Sequence, residues 1–394
     1  MDFKELVDKS TKLRNRVNHL YIYGAGLFGR DISQILSRNG VKVDGFVETD
    51  CKEPRTVWGL PVGRLDDVLS ENVGIIIGMN VDNTKDAIQN LTERNFPFDR
   101  VVDGGAYYAE DKMSRLLQDS PLLEINTVIG CKVNCKYCPQ DLFIRSYYAE
   151  DKNRRRIMQL EDFQKILENT PDNCVIDFAG MSEPFLNPDC TEMIRMACEA
   201  GRTVLLFSTF VGATDQDIET VLNLPIYAIT LHCADKMGYA NIPIDDMYYK
   251  RMERILDARK EDGNPLVIGI SAQTEPPKEM IDLCKGKHEI KYSLHDRVGV
   301  LKDENLASMK EPHKGKFECS LCGAQCNSHV VCPDGTVVLC NNDFAMQYVL
   351  GNLYESSFDE LQKGEVVQRV LRGMQGDTSI DLICRRCVCT HALE

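Results

Sequence analysis

The sequence predicts an α/β chain in three parts: an N-terminal parallel βαβ unit, an open barrel of six βα units, and a small cysteine-rich C-terminal region. Three observations carry this expectation. Short β-rich runs alternate with amphipathic helical patterns through most of the chain. Glycine and proline punctuate the joints between them. The cysteines gather in two places instead of spreading evenly.

The first part, 1–105, opens on the β-rich run His19–Tyr23, followed by Gly24-Ala-Gly-Leu-Phe-Gly29 and a helical pattern on Ile32, Ile35 and Leu36. Further strands are expected at Val41–Val47 and Val73–Ile77, with a helix at Lys85–Arg94. Strand, glycine turn, helix, strand is the opening of a parallel sheet. A linker, 106–119, leads to the second part, 120–310. Its expected strands are Leu122–Ile129, Cys174–Phe178, Thr203–Ser208, Tyr227–Leu231, Leu266–Ile270 and Ile290–Leu294. Helical patterns at Leu160–Asn169, Pro188–Ala200, Asp215–Leu222, Asp246–Lys260 and Lys278–Lys285 separate them. For the second helix, Asn187 is the expected N-cap and Pro188 the first helical position. Six such units with right-handed crossovers curl into an open barrel, with loops gathered at the carboxyl ends of the strands. The third part, 311–394, breaks the rhythm with a hairpin at Ser328–Leu339, a helix at Ser357–Met374 and a cysteine-rich end. A region so poor in apolar runs needs a staple, which metal supplies.

Charge narrows the function classes. The 394 residues carry 46 Lys and Arg against 60 Asp and Glu, a formal net charge of −14. Such a chain lacks the general attraction to phosphate on which nucleic-acid binding rests, so no nucleic-acid partner is expected. No apolar run reaches the roughly 20 residues of a membrane span, and Met1–Leu20 has no signal-peptide core, so a cytoplasmic protein is expected.

Seventeen cysteines fit neither chance nor a secreted disulfide framework. Three lie in Cys131-Lys-Val-Asn-Cys135-Lys-Tyr-Cys138, directly after an expected strand, and eight lie between Cys319 and Cys389. Thiolates at short spacing without matching histidines read as metal or iron–sulfur ligation. Three on one loop bind three irons of a [4Fe–4S] cube and leave the fourth iron open. A structural zinc completed by a distant ligand is the alternative reading. Cys51, Cys174, Cys190, Cys198, Cys233 and Cys284 are scattered and read as small buried hydrophobes.

The triplet, with Tyr137 just before its third cysteine, resembles the signature of the radical S-adenosylmethionine (radical SAM) superfamily. The resemblance implies a partial (β/α)6 barrel and an open iron that binds the amino and carboxylate groups of S-adenosylmethionine. It also implies reductive cleavage to a 5′-deoxyadenosyl radical that abstracts hydrogen from substrate, with Tyr137 beside the adenine. An electron donor such as flavodoxin or ferredoxin is the implied partner. Ala179-Gly-Met-Ser-Glu-Pro184, at the end of the second barrel strand, is similar to the family's Gly-Gly-Glu motif. That places Gly180, Ser182 and Glu183 at the methionine ammonium, although Ser182 stands where glycine is usual. Ser208 and Thr209, His232, Gln273 and Arg297 sit at later strand ends, and of these Ser208 and Arg297 are taken as cofactor contacts.

Cys322 is followed after twelve residues by Gly335, after four more by Cys340, and later by Cys384-Arg-Arg-Cys387. This resembles the SPASM and twitch extensions of radical SAM enzymes. It implies one auxiliary [4Fe–4S] cluster on Cys322, Cys340, Cys384 and Cys387, of the shorter twitch type. Cys319, Cys326, Cys332 and Cys389 leave a second cluster open, and a zinc ribbon is the competing reading.

Gly24, Gly26 and Gly29 match G-x-G-x-x-G, with Glu48 about 20 residues on, where a ribose hydroxyl contact belongs. The part is similar to the Rossmann-like domains that precede sugar-modifying acyltransferases, which implies a nucleotide-linked sugar as ligand. NAD is a weaker reading, and a plain tight turn is the alternative. Taken together, the expected enzyme oxidises or epimerises a saccharide or nucleotide-linked sugar, with Cys233 as a candidate hydrogen donor for epimerisation. The alternatives are a maturase of a ribosomally made peptide and a non-catalytic nucleotide-sugar binding or electron-carrying module.

Overall fold

The computed structural model describes residues 3–25, 29, 32–33, 36–37, 40–51, 55–57, 60–69, 72–79, 81–104, 120–260, 263–285, 288, 290–291, 294–303, 306, 308, 311–319, 321–323 and 325–393. Gly26 and the whole linker 106–119 lie outside the described residues. The chain forms two compact units, Met1–Arg115 with Cys284–Glu289, and Leu116–Leu283 with Ile290–Glu394. Among the described residues no helix is long and apolar enough to cross a membrane.

The first unit is built on a six-stranded sheet of β1 (His19–Tyr23), β2 (Gly45–Glu48), β3 (Arg55–Val57), β4 (Leu60–Arg64), β5 (Val73–Ile77) and β6 (Val101–Asp103), in the order β3-β4-β2-β1-β5-β6. All neighbours are parallel except β3 and β4. Every residue of β5 is buried, as befits a central strand covered on both faces. Gly24, at φ +106°, turns the chain off β1, and its N–H donates to Val47 O at 2.8 Å. A Cβ on Gly29 would collide with the Gly24 carbonyl, so this glycine sets the close approach of loop and strand end. Glu48 ends β2 and accepts from Arg55 Nη2 at 2.7 Å.

The second unit holds a nine-stranded sheet. Its strands β7 (Leu122–Ile125), β8 (Val175–Phe178), β9 (Val204–Ser208), β10 (Ala228–His232), β11 (Val267–Ser271) and β12 (Ile290–Lys291) are parallel and lie in chain order. Helices 140–147, 160–168, 190–199, 215–222, 246–257 and 278–284 separate them. Alternation along β8 shows how the two faces divide. Phe178 packs on Phe163 of a covering helix at 5.6 Å between ring centroids, while Asp177 faces inward.

Several boundaries differ from the sequence expectation. The strand expected over Leu122–Ile129 ends at Ile125. The Thr127 hydroxyl then donates to Pro184 O at 2.8 Å, and the chain leaves the ladder. The helix expected from Pro188 begins at Cys190, because the Asn187 side chain accepts from Asp189 N at 2.9 Å and Pro184–Leu186 forms a separate tight turn. The helix expected to reach Lys260 stops at Asp257, where Ala258 turns extended. The helix expected over Ser357–Met374 is two, 358–363 and 365–374, broken at Gly364 with ψ 155°.

The C-terminal hairpin joins the barrel sheet. Strands β13 (Phe317–Cys319) and β17 (Thr390–Ala392) pair apart from it, but β14 (Ser328–Val331) runs parallel to β7 and carries β15 (Thr336–Val338) and β16 (Val349–Asn352). His329 on β14 is 1% exposed. Its Nδ1 lies 2.9 Å from Leu339 O and so donates, which leaves Nε2 to accept from Gln362 Nε2 at 2.6 Å. Burial lowers its pKa to about 4, so the folded ring is neutral. Its contribution is therefore complete above the unfolded value near 6.5 and falls away as pH drops toward 4. Urea unfolding at pH 5.5 is expected to show about 1 kcal/mol less stability from this group than at pH 7. His329→Asn is expected to flatten that slope.

Candidate functional site

The carboxyl ends of the barrel strands surround a cavity of about 400 Å³, lined by Cys131, Cys135, Cys138, Tyr137, Gly180, Ser182, Glu183, Ser208, Thr209, His232, Gln273 and Arg297 together with residues named below. Sequence positions nearly 170 apart thus meet at one place. The cysteine loop is held from several sides. Gly130 and Asn134 take positive φ, Cys138 N donates to Cys135 O at 3.0 Å, and Lys136 N donates to Tyr239 O at 2.7 Å. Gln140, just inside the following helix, donates from Nε2 to Cys138 Sγ at 3.4 Å and to Met181 O.

Burial pushes all three thiols up, Cys135 to about 12, with Cys138 and Cys131 adding to the Cys135 shift. Among the described residues no three His, Cys, Asp or Glu side chains converge on one ion position. A cube asks for something else, one thiolate per iron spread around a shared volume, and three thiols facing one cavity supply that. The donor set fits a [4Fe–4S] cluster.

Glu183 is 4% exposed and its oxygens are fully engaged. Oε1 accepts from Ser208 Oγ at 2.6 Å and Phe185 N at 3.3 Å, while Oε2 accepts from Thr209 N at 2.7 Å and Thr209 Oγ1 at 2.6 Å. Glu183 and Ser208, both expected at the cofactor, thus bind each other and tie the end of β8 to the end of β9. Glu183→Gln turns an acceptor into a donor opposite these groups. It is expected to cost about 1–3 kcal/mol, read by urea unfolding. Ser182 Oγ donates to Asn126 Oδ1 at 2.6 Å, and Gly180 sits at φ +90°, where a side chain is strained. The Tyr137 hydroxyl donates to Asp303 Oδ2 at 3.3 Å, with its ring edge-on to Tyr239 at 5.8 Å. Arg297, at φ +51°, donates to Asn342 Oδ1 at 3.4 Å and lies over the Phe344 ring.

Cys233 stands apart. It is 0% exposed and does not line the cavity, because it follows His232, which does, and side chains alternate along a strand. Its place is the core, in keeping with its reading as a small buried hydrophobe and not as a hydrogen donor.

Sequence reasoning missed Glu124, Asp177, Gln140 and Asn341, all of which line the cavity. For Glu124 and Asp177 a signal was present, since each is the single charge in an otherwise apolar strand.

At the C-terminal end, the four thiols expected as ligands lie near one another. Cys384 feels Cys340, Cys322 and Cys387, and Cys340 feels Cys387. The structure adds Cys319, beside Cys322, Cys340 and Cys384, and Cys389, beside Cys387. Cys326 faces Cys322, whereas Cys332 faces Asp334 and Arg154. The group adjoins the barrel cavity through the Cys340 loop. Asn341 lines the cavity, and Asn342 Nδ2 donates to Cys387 Sγ at 3.6 Å.

A loop of three thiols on the barrel and a second thiol group beside the same cavity are donor sets of the kind that hold iron–sulfur clusters. Residues 322–388 match SPASM, an iron–sulfur cluster-binding domain. That match takes in Cys322, Cys340, Cys384 and Cys387 and does not extend to the cysteine triplet of the barrel. No curated protein gives a significant match. Solved structures similar to the chain include BtrN in complex with AdoMet and 2-DOIA, at 15% identity and TM-score 0.43, over 65% of this chain and 87% of that one. Streptococcus suis SuiB bound to precursor peptide SuiA aligns at 13% identity and TM-score 0.41, over 75% and 77%. anSMEcpe with bound AdoMet and Kp18Cys peptide aligns at 14% identity and TM-score 0.35, over 64% and 83%.

Proposed function

We propose that this enzyme oxidises a carbinol carbon of a saccharide or nucleotide-linked sugar by hydrogen-atom abstraction. The observation that carries the reading is the junction of the two thiol groups at one cavity, where Asn341, next to Cys340, donates to Glu124 of β7 at 2.9 Å. Cys131, Cys135 and Cys138 would hold the cluster that binds S-adenosylmethionine, and Cys322, Cys340, Cys384 and Cys387 an auxiliary [4Fe–4S] cluster. The chemistry these groups supply when bound is one-electron cleavage of S-adenosylmethionine to a 5′-deoxyadenosyl radical and a nearby electron acceptor for substrate oxidation.

The chain's own residues orient and enclose. Tyr137 offers a fixed aromatic surface at the cavity wall. Gly180 allows close backbone approach, and Glu183 fixes two loops of the wall so that Ser182 and Thr209 are held in place. Buried walls exclude water, which protects a radical from quenching. An acceptor beside the substrate favours net oxidation over epimerisation, and the burial of Cys233 away from the cavity favours it further. In the first unit, Gly24 and Gly29 approach each other closely after β1, with Glu48 at the end of the next strand, and a nucleotide-linked sugar is the ligand we assign there.

The test is anaerobic reconstitution with iron, sulfide, S-adenosylmethionine and a flavodoxin or dithionite as reductant, followed by incubation with nucleotide-linked hexoses deuterated on carbon. Deuterium in 5′-deoxyadenosine and a ketone product support the reading. Deuterium transfer with an inverted alcohol would replace oxidation by epimerisation. 5′-Deoxyadenosine that never acquires label from any sugar would defeat the sugar assignment.

A further inference from the structure

Below the cysteine loop the cavity holds a pair of carboxylates for which the radical chemistry has no evident use. Glu124 and Asp177 are partners in the parallel register of β7 and β8, and both line the cavity. Neighbouring residues in such a register have their side chains side by side on one face. Glu124 is 7% exposed, and Asn341 Nδ2 donates to its two oxygens at 2.9 and 3.1 Å. Asp177 differs. Its Oδ1 is buried and has no hydrogen-bond partner.

The same cavity holds other buried polar atoms in that condition. Gln273 is 5% exposed with Oε1 unpartnered, Gln140 is 6% exposed with Oε1 unpartnered, and His232 Nε2 is likewise without a partner. Buried polar groups are ordinarily satisfied, so a cluster of orphans around one cavity points to a ligand that completes them. Most of these atoms are acceptors, and the missing ligand must therefore donate.

Charge sharpens the chemistry. Glu124 lies within the field of Arg297, but Asp177 feels burial and the like charge of Glu124, with no cation to answer it. His232 and His295 line the cavity too, yet burial lowers both to about 4, so they are neutral near pH 7. Burial raises both carboxyls, Glu124 to about 7 and Asp177 well above the usual carboxylate range, so the pair holds protons that a bound cation would displace; with both ionised, the one guanidinium leaves the floor one positive charge short. A hydroxyl would supply a hydrogen bond but no charge, whereas an ammonium supplies both, with three N–H donors.

We propose that Asp177, with Glu124 beside it, is the substrate anchor of this enzyme and takes an ammonium group, so that the substrate is an amino-bearing small molecule. The proposal rests on the reading of the cavity as the place where substrate meets the radical. It narrows the sugar assignment to amino sugars and their relatives. Asp177 and Glu124 bind and orient the substrate, and no covalent step is asked of them.

Methylammonium chloride is the probe, because it is small enough to enter the cavity whatever the rest of the substrate is. Thermal unfolding of the anaerobically reconstituted holoenzyme is compared in methylammonium chloride and in sodium chloride at equal ionic strength. Wild type is expected to melt about 2 °C higher in methylammonium. Asp177→Asn is expected to lose that difference, and to melt no lower than wild type in sodium chloride, since it replaces a buried carboxyl whose Oδ1 no protein group answers. No methylammonium shift in wild type overturns the proposal, as does an equal shift in Asp177→Asn. A lower melting point for Asp177→Asn in sodium chloride also overturns it, by showing that Asp177 is a structural anchor. Should Asp177→Asn not fold, tetramethylammonium decides on wild type alone, because it carries the same charge without an N–H. A shift confined to methylammonium supports the anchor, and equal shifts overturn it. Iron and sulfide analysis of the same wild-type preparation tests the radical SAM reading separately.

Discussion

Substituting alanine at Cys131, Cys135 and Cys138 together is expected to remove roughly four irons and four sulfides per chain and to abolish 5′-deoxyadenosine formation. The three thiols come from a single loop, and no other thiol among the described residues lines that cavity. Auxiliary iron, held by thiols between Cys319 and Cys389, is expected to survive in the same variant, because that group is assembled from different elements. Iron and sulfide assays with electron paramagnetic resonance of the reduced protein read both quantities at once. A triple variant with unchanged iron that still cleaves S-adenosylmethionine would remove the basis for the proposed function.

The second large effect is expected at Arg385, the residue after Cys384. It is 6% exposed, yet no carboxylate is among its hydrogen-bond partners. Its guanidinium donates to His313 O at 2.9 Å, Gly373 O at 2.8 Å, Asp377 O at 2.7 Å and, at 3.4 Å, Ile380 O. It also lies over the Phe317 ring at 5.4 Å. Gly373 lies in the last turn of helix 365–374, where free carbonyls favour a cation. Arg385→Met keeps the stem and removes all four of these hydrogen bonds from a buried position, which is expected to cost roughly 3–5 kcal/mol. Because the same side chain sets the path of Cys384 and Cys387, auxiliary iron is expected to fall with it. The neighbouring Arg386, paired on the surface with Asp381 at 3.0 Å, provides the contrast, and Arg386→Met is expected to cost under about 1 kcal/mol. Equal losses from the two variants would contradict this account.

What could be read in the sequence follows from what is local. The cysteine loop and the Gly180–Glu183 turn were legible because their residues are close in the chain and chemically unusual. Most strands were legible to within a residue or two, since β-rich apolar runs between breakers leave little choice. The engagement of Glu183 by Ser208 and Thr209 was not legible, because it depends on two loops meeting. The carboxylate pair was missed for the opposite reason. Each acidic residue sits singly among apolar neighbours, and only the register of β7 against β8 makes the two a pair. Gly364 shows a third limit. A helical pattern runs through it, and the break becomes visible only in the backbone turn that the structure records.

The parallel pairing of β7 with β14 has a consequence for biogenesis. Leu122 N donates to Asn327 O at 3.0 Å, and Asn327 Nδ2 reaches back to Ser120 O, 207 residues away. A ribosome therefore releases most of the barrel before the strand that covers its first edge exists. Until then the edge of β7 opposite β8 stays open, with the Leu122 and Asn126 amides that later donate to Asn327 O and Val331 O lacking those acceptors, a template for joining another nascent chain. Premature termination between Asn126 and Ser328 should thus yield inclusion bodies, not a smaller working protein.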